Sequence, residues 1–143
     1  ATKQETTVAP MFGIHSSVGK SPSMEATKFA VQVITMNGSL YVWVGNGDRS
    51  AQRMDNLTAA LTSRSSSLTK PSVATIFEGG VADDSSSFAE GMAERLCKRT
   101  GQVVFVSYNL PVTSTPDEAL LFEVEKTTVA LIKNVTDGTK VEA

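Results

Sequence analysis

The sequence is poor in the residues that build disulfides and metal sites. Among 143 residues there is one cysteine, Cys97, and one histidine, His15. A single cysteine cannot form an intramolecular disulfide, and a chain with one unpaired cysteine fits a reducing compartment best. A structural or catalytic zinc ion needs three or four nitrogen, sulfur or carboxylate ligands, and the chain has no second histidine to provide them. We therefore expect neither a disulfide nor a metal site, and we interpret Cys97 as a packed thiol of the core.

Strong charge and long apolar runs are also missing. The chain has 13 basic and 15 acidic residues, a net charge of -2, which gives no electrostatic reason to bind nucleic acid or an anionic membrane. Its apolar runs stop far short of the roughly 20 residues that span a bilayer, and no basic-then-apolar signal segment opens the sequence. These features predict a protein of the cytoplasm, and also of the nucleus, that binds neither nucleic acid nor membrane.

What the sequence does contain is enough for one domain. Hydrophobic residues make up 41% of the chain and charged residues 20%, as in ordinary globular proteins. A chain of this length buries about two thirds of its unfolded surface on folding. We expect a single domain over residues 1–143, with polar residues 1–7 as a loose terminus.

Hydrophobic periodicity predicts six strands and two helices. The clearest local signal is Asn37-Gly38, which favours a two-residue turn between two β-rich runs. Lys98 and Arg99 ahead of Gly101 are typical of a helix end, whereas Thr127 and Thr128 weaken the distal half of the second helix. The predicted strands are 8–14, 29–36, 39–45, 54–61, 73–77 and 102–110, with a short helix as the alternative for 54–61. The predicted helices begin near 85 and 115, and 16–25 is predicted as a loop.

The strands at 39–45 and 102–110 carry apolar side chains on both faces. Leu40, Val42 and Val44 alternate with Tyr41 and Trp43. In the later strand Val104 and Val106 alternate with Val103 and Phe105. Two helices can cover only one face of a six-stranded sheet, so either the sheet curls over itself or a second subunit covers the other face. The predicted fold is α+β, with a mainly antiparallel six-stranded sheet, two helices on one face and the other face used for dimerisation.

The candidate chemical sites are weak. Gly13–Ser21 resembles a phosphate-binding loop, but five residues separate its glycines instead of four, and Pro22 stands where the helix should run. A nucleophilic pair of Cys97 and His15 would need an accessible thiolate, whereas Cys97 lies on the predicted apolar stripe of a helix. Asp83 and Asp84 are interpreted as partners of a helix N-terminus. We expect no catalytic residue and no cofactor.

Two longer runs resemble a known family. Lys98–Leu110, with its Val-Phe-Val-Ser-Tyr-Asn-Leu end, and Ser39–Gly45, with its Ser-Leu-Tyr-Val-Trp-Val-Gly pattern, are similar to the corresponding runs of the proteasome assembly chaperone 4 family. The resemblance extends from about Phe29 to Lys133. It implies a six-stranded sheet with two helices, in agreement with the periodicity.

The resemblance also implies a function. Members of this family are non-enzymatic chaperones that form a heterodimer with proteasome assembly chaperone 3, bind the α5 subunit and promote α-ring assembly of the 20S core particle. On this hypothesis Tyr41, Trp43, Val103 and Phe105 are the candidate residues of the sheet face that meets the partner chaperone. The alternatives are a homodimeric scaffold or trafficking adaptor and, resting on Gly13–Ser21, a small nucleotide-dependent enzyme.

Overall fold

A computed structural model describes residues 13–20, 28–48, 52–62, 70–79, 85–110 and 118–142. The elements follow the order β1 (Gly13–Lys20), β2 (Lys28–Met36), β3 (Ser39–Asn46), β4 (Asn56–Leu61), β5 (Ser72–Glu78), α1 (Ser85–Thr100), β6 (Val103–Tyr108) and α2 (Glu118–Glu142). The expectation of a loose terminus at residues 1–7 concerns residues outside these ranges.

The strands form one sheet in the order β1-β2-β3-β6-β4-β5. Strands β3 and β6 pair in parallel, and each of the other neighbouring pairs is antiparallel. The parallel pair arises because α1 carries the chain back across the sheet, so that β6 enters between β3 and β4. The predicted α+β fold with a mainly antiparallel six-stranded sheet is confirmed.

Both helices lie on the same face of the sheet, which we call the helix-covered face. Helix α1 packs on β4, β5 and β6, and α2 packs on β1 and β2. The buried side chains of the strands and helices form a single cluster, in which Val42 and Val106 from the central strands are fully buried. The other members of this buried core are Phe29, Val31, Val33, Leu40, Val44, Ala60, Ala89, Met92, Ala93, Leu96, Cys97, Val104, Tyr108, Leu110 and Val124.

Two predicted turns depend on glycine. Gly38 has φ of 82° in the connection between β2 and β3, and Gly101 has φ of 70° directly after α1. The Gly101 amide donates to the carbonyl oxygen of Cys97 at 2.9 Å, which satisfies one of the last carbonyls of the helix. The predicted hairpin and the predicted end of the first helix are both present.

The predicted loop is wrong over residues 16–20. The sequence predicts a strand at 8–14 and a loop over 16–25, whereas β1 runs from Gly13 to Lys20 and pairs along its whole length with β2. Residues 8–12 and 21–25 of these two predictions lie outside the described residues. Its serines and glycines have weak intrinsic preference for a strand, and the pairing with β2 overrides that weakness. Because Gly13–Lys20 is extended and paired, this segment does not have the form of a phosphate-binding loop.

The second helix continues through the segment where it was expected to weaken. Thr128 is fully buried, and its hydroxyl donates to the carbonyl oxygen of Val124 at 2.8 Å. Burial of Thr128 outweighs the low helix propensity of a β-branched residue, and the hydrogen bond satisfies its buried hydroxyl. Neither described helix is long and apolar enough to cross a bilayer.

Candidate functional site

We call the face of the sheet opposite the helices the open sheet face. Among the described residues, no helix or strand packs on it. Alternation along the strands directs every second side chain to this face. Most of its members on β2, β3 and β6 are less buried than the valines that alternate with them, although Ser107 at the end of β6 is fully buried. Its apolar side chains include Ile14, Val18, Ala30, Ile34, Tyr41, Trp43, Leu57, Leu61, Phe77, Val103 and Phe105.

The four residues predicted to meet a partner lie together at the centre of this face. Tyr41 and Trp43 are on β3, Val103 and Phe105 are on β6, and these two strands are neighbours. Tyr41 stands directly opposite Phe105 in the register. All four side chains are half-buried, so they are supported by neighbours and yet still present surface to solvent.

The aromatic side chains on β3 are held in place by local contacts. The Nε1 of Trp43 donates to the carbonyl oxygen of Arg53 at 2.9 Å, and the hydroxyl of Tyr41 lies 3.6 Å from the Sδ of Met54. The Trp43 ring also lies over Gly45, because a Cβ at residue 45 would stand 2.4 Å from two ring atoms. A partner would therefore meet aromatic rings whose conformations are already restricted, which lowers the entropic cost of binding.

Partial burial also affects the ionisation of Tyr41. Burial raises the pKa of its phenol above the ordinary tyrosine value, and a hydrogen bond with the side chain of Ser107 lowers the pKa in part. The neutral hydroxyl is therefore the form present at physiological pH, and it adds no charge to the centre of the open sheet face.

The edges of the open sheet face contain apolar residues that sequence reasoning did not select. Ile14 and Val18 on β1 are 60% and 64% exposed, and Phe77 on β5 is 41% exposed. The alternation of Ile14, Ser16 and Val18 was the available signal, but it was missed because the segment from residue 16 was predicted as a loop. The apolar surface thus reaches from one edge strand to the other, beyond the four central residues.

The strand end Ser107-Tyr108-Asn109 is a structural hydrogen-bond network. The side-chain amide of Asn109 donates to the carbonyl oxygen of Val44 at 3.1 Å and to the Ser107 hydroxyl at 2.9 Å. Its Oδ1 accepts from the backbone amide of Asp55 at 2.6 Å. These bonds join β3, β6 and the entry to β4, so the polar side chains at this strand end hold the sheet together.

The candidate nucleophilic and metal sites of the sequence find no support in the described part of the chain. Cys97 is fully buried, and burial raises the pKa of its thiol, so the reactive thiolate is disfavoured. No group of three or more potential metal ligands occurs among the described residues. His15 lies on β1, whereas Asp83 and Asp84 are outside the described ranges.

Comparison with known proteins gives consistent matches. Residues 28–110, which span β2 to β6, match the family model described as Proteasome assembly chaperone 4. The human protein of that name is 37% identical over 91 residues, covering 64% of this chain and 65% of the relative. The mouse protein of that name is 34% identical over 83 residues, covering 58% and 59%. Each match therefore spans less than two thirds of the relative's own length.

A solved structure shares the fold. A chain of a crystal structure described as a novel chaperone complex for yeast 20S proteasome assembly superposes with a TM-score of 0.63, covering 87% of this chain and 98% of that chain. At 15% identity this likeness supports the architecture alone. The family model, by contrast, includes all four predicted residues of the open sheet face and matches more than half of the sequence, so the chain belongs to the proteasome assembly chaperone 4 family.

Proposed function

We propose that this protein is a non-enzymatic chaperone of 20S proteasome assembly and that its open sheet face is the surface that binds a partner chaperone. Membership of a non-enzymatic chaperone family supports the first part. The observation that carries the second part is the cluster of Tyr41, Trp43, Val103 and Phe105, four half-buried apolar side chains at the centre of a face without a covering element among the described residues.

The proposed partner is the related proteasome assembly chaperone 3, and the proposed client of the heterodimer is the α5 subunit during formation of the α-ring. Support comes from the resemblance of Ser39–Gly45 and Lys98–Leu110 to the family. The yeast relative of the same fold is described as part of a chaperone complex. We place this activity in the cytoplasm and the nucleus.

The physical basis of the proposal is burial of apolar area. Specific interfaces bury about 1,200–2,000 Å² in total, and removal of apolar surface from water stabilises a complex by roughly 25 cal/mol per Å² before ordering costs are subtracted. Aromatic residues at the centre of an interface commonly contribute the largest share. We propose Trp43 and Phe105, which lie on adjacent central strands, as such anchors.

The test uses the single tryptophan of the chain as a reporter. The full chain is co-expressed with a proteasome assembly chaperone 3 homologue, the products are sized by chromatography with light scattering, and the emission of Trp43 is recorded before and after complex formation. We expect a one-to-one complex and a blue shift of the Trp43 emission. We also expect the complex to capture α5, whereas a variant that cannot bind the partner chaperone should not.

The variants separate the open sheet face from the helix side. Phe105→Asp places a charge at the centre of the face, and we expect it to weaken the complex by at least about 100-fold. Lys98→Glu changes an exposed residue of α1 and serves as the control, which should bind normally. A complex that tolerates Phe105→Asp would refute the choice of face. A chain that remains monomeric and ignores both the homologue and α5 would refute the chaperone assignment, and self-association alone would favour a homodimeric scaffold.

A further inference from the structure

A second surface feature lies on the helix side of the molecule. A groove of about 540 Å³ runs between α1 and α2, and we call it the interhelical groove. Helix α2 contributes most of its wall, and Phe122 on that helix is 67% exposed. The groove is lined by Arg95, Arg99, Leu121, Phe122, Glu125, Lys126, Val129, Ala130 and Lys133.

The lining combines apolar surface with positive charge. Four of its residues are basic and one, Glu125, is acidic, so the lining has a formal charge of +3 on a chain whose net charge is -2. Arg95 is paired with Glu125, with 2.6 Å between Nη2 and Oε1. In the described ranges, Arg99, Lys126 and Lys133 have no ion-pair partner. Three cations therefore remain available around an apolar floor.

The positions along α2 define the length of the groove. Phe122, Lys126, Val129 and Lys133 recur at the spacing that brings residues onto one face of a helix. With a rise of 1.5 Å per residue, the eleven steps from 122 to 133 span about 16 Å. This length accommodates about three turns of a helix or about five residues of extended peptide.

We propose that the interhelical groove docks an acidic amphipathic segment of a partner protein, with an apolar side chain of that segment against Phe122 and its carboxylates beside Lys126, Lys133 and Arg99. Charge complementarity selects an acidic occupant, and the exposed aromatic ring selects one with apolar side chains. A DNA duplex would use the cations, but its bases are already stacked on one another, so Phe122 and Val129 would be left without an apolar partner, on a chain that is acidic overall. This inference goes beyond the chaperone proposal and does not depend on the open sheet face.

The experiment begins with selection. Random 12-residue peptides displayed on phage are selected against the full chain, and enriched peptides are synthesised with a fluorescent label for anisotropy titrations. We expect enrichment of peptides that combine several Asp or Glu residues with Leu, Phe or Trp. Their affinity should fall as salt is raised from about 0.05 M to about 0.5 M, because the exposed charges become screened.

Two variants test the location of binding, and a third is the control. Phe122→Ala should weaken the binding of the selected peptides at least about tenfold, as expected for loss of an aromatic anchor. Lys126→Glu should weaken them several-fold and reduce the salt dependence. Lys98→Glu changes the charge by the same amount on α1 but lies outside the groove lining, and it should bind as the wild type does. Both groove positions are exposed, so thermal melting should show that the variants remain folded.

Several results would overturn the proposal. These are the absence of any enriched peptide, enrichment without acidic residues, or binding that is unchanged by both Phe122→Ala and Lys126→Glu. A groove-dependent interaction with a DNA duplex or with phosphatidylserine vesicles, in place of the acidic peptides, would also reject a protein segment as the occupant.

Discussion

Replacement of Asn56 by alanine is expected to destabilise the fold strongly. Asn56 is the first residue of β4 and is 1% exposed. Its Nδ2 donates to the carbonyl oxygen of Tyr108 at 2.6 Å, and its Oδ1 accepts from the amide of Tyr108 at 2.9 Å. The side chain thereby continues the ladder between β4 and β6 beyond the pair Thr58 and Val106.

The magnitude follows from these two buried hydrogen bonds. A typical hydrogen bond contributes about 1 kcal/mol net, but a buried polar group that loses its partner costs about 1–3 kcal/mol. In Asn56→Ala the two backbone groups of Tyr108 lose these bonds together, so we expect a loss of about 2–5 kcal/mol. That is a large part of the 5–15 kcal/mol or so by which a domain is stable.

The assay is equilibrium unfolding in urea, followed by the fluorescence of Trp43. With a slope of about 2 kcal/mol per M, the expected loss lowers the midpoint by about 1–2.5 M at an unchanged slope. Asn46→Ala is the matched control, since Asn46 is only partly buried and its Oδ1 accepts one hydrogen bond, from the amide of Asp48. It should lower the stability by about 1 kcal/mol or less.

Asn56→Asp sharpens the test. It retains an acceptor for the Tyr108 amide but directs a carboxylate oxygen at the Tyr108 carbonyl and buries a charge. Asn56→Asp should therefore not regain the stability that Asn56→Ala loses relative to the wild type. An Asn56→Ala protein within about 0.5 kcal/mol of the wild type would refute the reasoning, because water would then be satisfying these backbone groups.

Three further predictions concern the packing of the sheet and α1. Gly45→Ala should displace the Trp43 ring, lower the stability by about 1–3 kcal/mol and shift the emission to longer wavelength; an unchanged spectrum would contradict this. Thr58→Val should raise the stability by about 1 kcal/mol in urea unfolding, because the buried Thr58 hydroxyl has no hydrogen-bond partner among the described residues; a loss would show that the hydroxyl is satisfied. Burial raises the pKa of the Cys97 thiol, so its stabilising contribution is complete below the pKa of the unfolded thiol, about 8.5, and is lost as pH rises through the folded pKa. Cys97→Ala should therefore remove this alkaline decline from the melting temperature. A variant whose melting temperature declines as much as that of the wild type would argue against this role of Cys97.

Local sequence signals were sufficient for much of the architecture. Asn37-Gly38 specifies the hairpin between β2 and β3 because glycine accepts positive φ, and Gly101 ends α1 for the same reason. The alternation around Trp43 and Phe105 is enough to separate two apolar faces, because the period of a strand is two whatever the fold. The same reasoning failed at Gly13–Lys20, where serine and glycine are poor strand formers and pairing with β2 decides the conformation.

The sequence by itself determined the six-strand, two-helix composition, the doubly apolar strands and the family, since these are encoded in local periodicity and in contiguous runs. Only the tertiary structure decided that β6 enters in parallel beside β3, which brings Val103 and Phe105 next to Tyr41 and Trp43. It also decided that Asn56 pairs with Tyr108, 52 residues away, and that basic residues of α1 and α2 meet around Phe122. These arrangements depend on contacts between segments distant in the chain, and no local pattern of residues specifies them.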